Sequence, residues 1–244
     1  MQQVLTTSRE ADGALAPLRQ PFAGWFKTRG WSPRPHQLAL LEKAEKGRSA
    51  LLIAPTGAGK TLVAELAIDE ALRRGRRAIY TSPIKALSNQ KYRDFRADGL
   101  EVGLMTGDLS LTPDAPVLIM TTEIFRNAVF EDPDRYRDVE FLIFDEIHFL
   151  DDVSRGTVWE ECLIFAPHFM RFIGLSATIQ NLTQFGNWLE EVRGRELTVV
   201  QEKRRPVPLT HQMYHPEVGP FDLAQKKRAK QVIARHAEQD RARS

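Results

Sequence analysis

Eight consecutive residues constrain this chain more than any others: Ala54-Pro55-Thr56-Gly57-Ala58-Gly59-Lys60-Thr61. An apolar run, Ala50-Leu51-Leu52-Ile53, leads into them, and an amphipathic stretch, Leu62 to Arg74, leads out. That order predicts a strand, a glycine-rich loop and a helix. Glycines let the backbone curl so that its N–H groups point inward at an oxyanion, and the helix N-terminus adds a partial positive charge. Lys60 adds a full one, and the Thr61 hydroxyl suits Mg²⁺. The loop therefore predicts a nucleoside-triphosphate site. One position departs from the general pattern, with Ala54 where its first glycine is expected.

The surroundings extend the same logic. Short, predominantly apolar runs recur at 78–81, 102–105, 117–120, 141–144, 172–175 and 197–200. Between them lie helical patterns at 36–46, 84–96, from Thr121 or Thr122 onward (one of the two as cap), 157–166 and 182–191. Strands that are apolar on both faces need cover on both faces. The prediction is an α/β fold, a mostly parallel sheet flanked by helices on both sides. In such sheets ligands bind at the carboxyl ends of the strands. The loop at 54–61, Asp145-Glu146 and Ser176-Ala177-Thr178 each follow directly on a strand, so they should converge on one crevice.

An ATPase needs a carboxylate for Mg²⁺ and a group that positions the attacking water. Asp145 is placed for the first task and Glu146 for the second. Composition limits the alternatives. Lys and Arg total 34 against 32 Asp and Glu, a net charge of +2, so any basic binding face must be local. Cys162 is the only cysteine, which excludes an internal disulfide and points to a reducing compartment; its apolar neighbours make it a core residue. No run approaches the ~18 apolar residues of a membrane span, and residues 1–18 lack the apolar core of a signal peptide. A cytoplasmic protein with no membrane partner is expected. The histidines show no metal-site spacing, so no structural metal is expected.

Taken together, 54–61, Asp145-Glu146-Ile147-His148 and Ser176-Ala177-Thr178 resemble motifs I, II and III of superfamily 2 helicases of the DExH-box branch. Residues 81–92 (Thr81-Ser82-Pro83-Ile84-Lys85 onward) resemble motif Ia of the superkiller-type, exosome-associated RNA helicases. So do Leu104-Met105-Thr106-Gly107-Asp108, Met120-Thr121-Thr122-Glu123-Ile124, Arg155 to Glu161 and Arg205-Pro206-Val207-Pro208-Leu209. The resemblance implies a RecA-like P-loop NTPase domain whose cofactors are ATP and Mg²⁺. Residues Ala54, Pro55, Thr56, Gly57, Ala58, Gly59, Lys60 and Thr61 would bind the ATP phosphates, Thr61 with Asp145 would hold Mg²⁺, and Glu146 would be the catalytic base. Gln37 would read the adenine edge, with Trp31 or Phe26 near the base. His148, Ser176 and Thr178 would couple hydrolysis to movement. Pro83, Lys85, Gly107, Thr122 and Glu123 would line a track for single-stranded nucleic acid, RNA favoured over DNA, gripped through phosphates rather than bases.

The same resemblance implies two RecA-like lobes, the second supplying arginines in trans, yet no Gln-x-x-Gly-Arg-x-x-Arg occurs in the sequence. The expected organisation is a flexible lead-in over 1–20, an ATP-binding domain over 21–202, and a linker with a basic segment over 203–244, at the start of a second lobe that this chain lacks. Such a chain should bind ATP, turn it over slowly and leave duplexes intact. A stand-alone ATP-binding module and the lobe of a DNA-repair helicase are the two other readings.

Overall fold

A computed structural model describes residues 4–6, 22–151, 156–216, 218–222, 224 and 230. The chain divides into two compact units, Met1–Arg205 and Pro206–Ser244.

The first unit is built on a sheet. Its long strands are β2 (Ser49–Ile53), β3 (Arg77–Ser82), β4 (Val102–Thr106), β6 (Val117–Thr121), β7 (Val139–Phe144), β8 (Arg171–Ser176) and β9 (Leu197–Gln201). Two short strands, β1 (Val4–Thr6) and β5 (Leu109–Leu111), close its edges. The nine strands run in the order β1-β9-β2-β8-β7-β3-β6-β4-β5. Every pairing is parallel except β4 with β5.

Among the described residues seven α-helices accompany them: α1 (Phe22–Thr28), α2 (Pro35–Glu45), α3 (Lys60–Arg73), α4 (Lys85–Ala97), α5 (Thr122–Glu131), α6 (Gly156–Phe165) and α7 (Leu182–Arg193). The apolar strands divide their side chains between two cores by simple alternation. Ala50, Leu52, Ala78, Tyr80, Phe141 and Ile143 pack with Leu40 of α2, Val63 and Ala67 of α3 and Phe95 of α4. Their neighbours Leu51, Ile53, Ile79, Leu142 and Phe144 pack on the other side with Phe125 of α5, Trp159 and Cys162 of α6 and Leu189 of α7. Burying both faces of the sheet is why these strands read as unbroken apolar runs.

Three expectations change. The lead-in contributes Val4–Thr6 as a strand on the open edge of β9, where unpaired backbone groups gain partners; the remainder of 1–20 lies outside the described residues. At the far edge the chain turns after Thr106 and returns as β5, antiparallel to β4. The helix start at α5 has Thr121 in the cap position, but neither threonine caps it by side chain: Thr122 Oγ1 donates instead to the Ser82 carbonyl, 3.3 Å away.

The second unit contains a two-stranded antiparallel hairpin, β10 (Met213–His215) with β11 (Gly219–Phe221). Of the basic stretch after Phe221, only residues 222, 224 and 230 are described, and Arg155 of the superkiller-type resemblance also lies outside the described residues.

Candidate functional site

Strands β2, β8 and β7 are adjacent, so the loops at their carboxyl ends meet. The phosphate loop follows β2. Gly57 and Gly59 take positive φ values of 84° and 78°, and α3 begins directly at Lys60. The loop is held from several sides. Ala54 N–H donates to the Ser176 carbonyl at 3.0 Å, which ties it to the carboxyl end of β8. Lys60 Nζ donates to the Ala54 carbonyl at 3.1 Å, folding the lysine back over the loop. Gln37 Nε2 donates to the Gly59 carbonyl at 3.2 Å while Gln37 Oε1 accepts from Arg34 N–H at 2.8 Å. A Cβ on Gly59 would stand 2.6 Å from Gln37 Nε2, so this close approach as well as its φ requires glycine.

Asp145 is buried, at 9 % exposure, and both its oxygens are engaged. Oδ1 accepts from Glu146 N–H at 3.0 Å and Oδ2 accepts from the Tyr80 hydroxyl. Burial, and then the Asp145 charge, push the Tyr80 phenol well above its ordinary range, so it stays a neutral donor. Glu146 has φ +54°, a left-handed backbone that non-glycine residues adopt at a cost and that gathers at functional sites. Burial first, then the neighbouring Asp145 charge, raise its carboxyl above the usual range, while Lys60, His148 and Lys91 oppose the shift. An elevated carboxylate makes a better proton acceptor than an ordinary one. His148 Nδ1 lies 3.3 Å from Glu146 Oε2, close enough for an ion pair but not aligned as a hydrogen bond. Ser176 is fully buried and donates from Oγ to the Thr178 carbonyl at 2.9 Å, whereas Thr178 is exposed.

Three residues that the sequence did not single out are built into this site. Tyr80 is one. His36 is another: it is 1 % exposed, with Nε2 at 2.9 Å from the Ala58 carbonyl and Nδ1 3.5 Å from Glu202 Oε2. Burial depresses its pKa, so the neutral ring donates from Nε2 to the phosphate loop. Its position beside Gln37 was the only signal. The third is Lys91 of α4, whose Nζ donates to Thr61 Oγ1 at 2.9 Å.

The set fits ATP with Mg²⁺. A cleft of about 440 Å³ opens beside the loop, lined by Phe26, Trp31, Ser32, Arg34, Gln37, Gly57, Gly59 and Leu62. An aromatic wall next to an amide suits a purine base, and Gln37 keeps one N–H beyond those its partners use. Among the described residues no three His, Cys, Asp or Glu side chains gather to hold a metal unaided. Thr61 and Asp145 are hard oxygen donors of the kind Mg²⁺ shares with nucleotide phosphates.

The five residues expected along a nucleic-acid track fall at the ends of β3, β4 and β6, on the opposite side of β7 from the phosphate loop. Lys85 and Gly107 are exposed and Glu123 is half-buried, but Pro83 is buried. Thr122 is at 0 % exposure, with its hydroxyl donating to the Ser82 carbonyl at 3.3 Å. Lys85 Nζ pairs with Asp108 Oδ2, and Thr106 Oγ1 donates to Asp108 Oδ1 at 3.1 Å.

The description of DEAD/DEAH box helicases, as a family, matches residues 34–185 of this sequence, which contain the phosphate loop, the Asp145-Glu146 pair and Ser176 together. The chain belongs to that family. Within the DEAD/DEAH box helicases it is 51 % identical over 167 residues to antiviral helicase SKI2 of Saccharomyces cerevisiae, covering 68 % of this chain and 13 % of that one. It is 46 % identical over 195 residues to superkiller complex protein 2 of Homo sapiens, covering 80 % and 15 %. It is 47 % identical over 180 residues to ATP-dependent RNA helicase mtr4 of Schizosaccharomyces pombe, covering 74 % and 16 %. The chain thus spans only 13–16 % of the length of these relatives. Among solved structures, DUF1998 helicase MrfA bound to DNA and AMPPNP superposes with a TM-score of 0.63 at 20 % identity, over 75 % of this chain and 29 % of that one. The Pyrococcus furiosus Hef helicase domain superposes with a TM-score of 0.57 at 23 % identity, over 74 % and 40 %. At such identities the likeness speaks for the fold alone, a RecA-like α/β domain.

Proposed function

We propose that this chain is the ATP-binding lobe of an ATP-dependent nucleic-acid helicase, with RNA as the favoured strand. The observation that carries the reading is the meeting of the phosphate loop, Asp145-Glu146 and Ser176 at the carboxyl ends of β2, β7 and β8. In this reading the backbone of 54–59 and Lys60 hold the ATP phosphates, Phe26, Trp31 and Gln37 receive the base, and Thr61 with Asp145 hold Mg²⁺. That ion would supply charge neutralisation at the β- and γ-phosphate oxygens. Glu146 orients the attacking water and takes its proton. Tyr80 holds the Asp145 carboxylate in place. Lys85, Gly107 and Glu123 form the exposed part of the nucleic-acid face, and His148 with the Ser176–Thr178 segment would relay hydrolysis into motion against a second lobe.

The preference for RNA rests on the likeness to mtr4, a relative named as an ATP-dependent RNA helicase; a DNA-directed enzyme is the second reading. A reducing, cytoplasmic setting accords with a single buried thiol, Cys162. An arginine finger is worth about 10³–10⁵ in rate, and the second lobe is its expected source. The single lobe should therefore bind ATP yet turn it over slowly. The test is binding of a fluorescent ATP analogue to the chain and to Glu146→Gln, followed by single-turnover hydrolysis with single-stranded RNA or DNA present. Binding retained in Glu146→Gln with hydrolysis abolished supports the assignment. Turnover unchanged by Glu146→Gln removes Glu146 from the chemistry, and efficient duplex unwinding by the chain alone overturns the single-lobe reading.

A further inference from the structure

Lys91 has no part in the reading above, yet it stands where the two halves of the site meet. It lies in the middle of α4, the helix that follows β3. Its Nζ donates to Thr61 Oγ1 at 2.9 Å, the hydroxyl assigned to Mg²⁺. Its charge also acts on two carboxylates, those of Glu146 and Glu65, opposing the upward shift of each. Glu65 is one helical turn beyond Thr61 on α3 and is half-buried. Burial, and then the carboxylate of Asp98 just past α4, push its carboxyl up to about 7, with Lys91 and Arg29 as the opposing cations and Asp94 of α4 a smaller influence.

A hydroxyl oxygen that ligates a divalent cation cannot keep an ammonium group at 2.9 Å, because the two positive charges repel at close range. Occupation of Thr61 by Mg²⁺ therefore obliges Lys91 to leave. The acceptor nearest along α3 is Glu65, separated from Thr61 by the i to i+4 spacing that puts two side chains on one helix face.

Resting on the ATP site proposed above, we infer that Lys91 is a positioning residue that moves between Thr61 and Glu65 as the divalent ion arrives, and so reports the metal site to α4. The first residue of α4 is Lys85, on the candidate nucleic-acid face. One rigid helix would then carry a metal-sensitive contact at its middle and a nucleic-acid contact at its start.

The test uses the 244-residue chain, Lys91→Met (which keeps most of the aliphatic stem and deletes the charge) and Glu65→Gln. The first readout is the Mg²⁺ concentration that half-saturates binding of a fluorescent ATP analogue. Lys91→Met removes the competitor and should lower that concentration by about fivefold, the lower end of ordinary site-to-site couplings. Glu65→Gln removes the landing site and should raise it. The second readout is the affinity for a fluorescein-labelled single-stranded RNA with and without AMPPNP, whose nucleotide dependence should vanish in Lys91→Met. A merely structural lysine would shift both variants in the same direction. That result, or an unchanged Mg²⁺ requirement in Lys91→Met, overturns the inference. Failure of the unaltered chain to bind the analogue at all overturns the ATP site itself, a distinguishable outcome.

Discussion

The Tyr80 hydroxyl donates to Asp145 Oδ2 from the neighbouring strand, so the carboxylate assigned to Mg²⁺ is aimed by a fully buried phenol. Tyr80→Phe keeps the ring and its edge-to-face contact with Phe95, whose centroid lies 5.5 Å away. The change should cost about 2 kcal/mol of stability, the worth of a hydrogen bond to a charged group. It should also raise the Mg²⁺ needed for nucleotide binding, because Asp145 loses its orientation. Urea unfolding and an Mg²⁺ titration check the two effects, and a stability loss with an unaltered Mg²⁺ requirement would make Tyr80 purely structural.

Gly59 answers to two constraints at once, φ +78° and the Gln37 amide 2.6 Å from where a Cβ would stand. Gly59→Ala should strain the backbone by about 1–2 kcal/mol and push Gln37 off the loop. Nucleotide affinity should then fall by at least about tenfold, with little change in the α2 and α3 helical signal. Calorimetric titration with an ATP analogue measures it. Gly57→Ala is the useful companion, since Gly57 also has a positive φ, 84°.

Glu65 is pushed up from 4.5 to about 7, burial being the main cause. The folded chain therefore keeps a proton that the unfolded chain loses from about pH 4.5 upward. Its contribution to stability is full below that value, declines as pH rises through about 7, and stays lost above. At roughly 1.4 kcal/mol per pH unit the ceiling is about 3 kcal/mol, and partial solvent access reduces it to about 1–2 kcal/mol. Glu65→Gln should flatten the fall in Tm between pH 5 and 8 and leave the variant the more stable of the two at pH 8. Parallel melting curves across that range decide the matter.

Arg193 closes α7 from within. It is 6 % exposed and donates to the carbonyls of Leu163, Ala166, Pro167 and Met170, at the end of α6 and the loop beyond it. Arg193→Met fills similar space but leaves those carbonyls without their donor, at a cost of roughly 3 kcal/mol. The urea midpoint should fall with an unchanged m value. Loss of the α6 packing around Trp159 should be visible in its fluorescence.

The parts of this molecule that were legible from sequence are those in which one residue type serves one local need. Unbroken apolar runs announced buried parallel strands, and the glycines at 57 and 59 announced a curled loop. Contacts made across the fold left no such mark. Tyr80 read as one more apolar strand residue, although its hydroxyl finds Asp145 65 positions later. Nothing near Lys91 in sequence foretells its contact with Thr61. Thr122 carried no sign in the sequence that its hydroxyl would be buried on the Ser82 carbonyl. The hairpin of β4 and β5 escaped because it rests on Gly103, where a Cβ would meet the Thr112 carbonyl at 2.1 Å, a proximity that exists only after the chain has turned back.

Ala54 joins the site through main-chain atoms, its N–H donating to Ser176 and its carbonyl accepting from Lys60. Side-chain replacement leaves both atoms in place. An alanine scan would skip this position, and a glycine there would preserve the same bonds, so mutational maps of the family will under-report the junction between the phosphate loop and the strand beside it. An amide-to-ester substitution at residue 54, which deletes the N–H alone, is the perturbation to which this joint is sensitive.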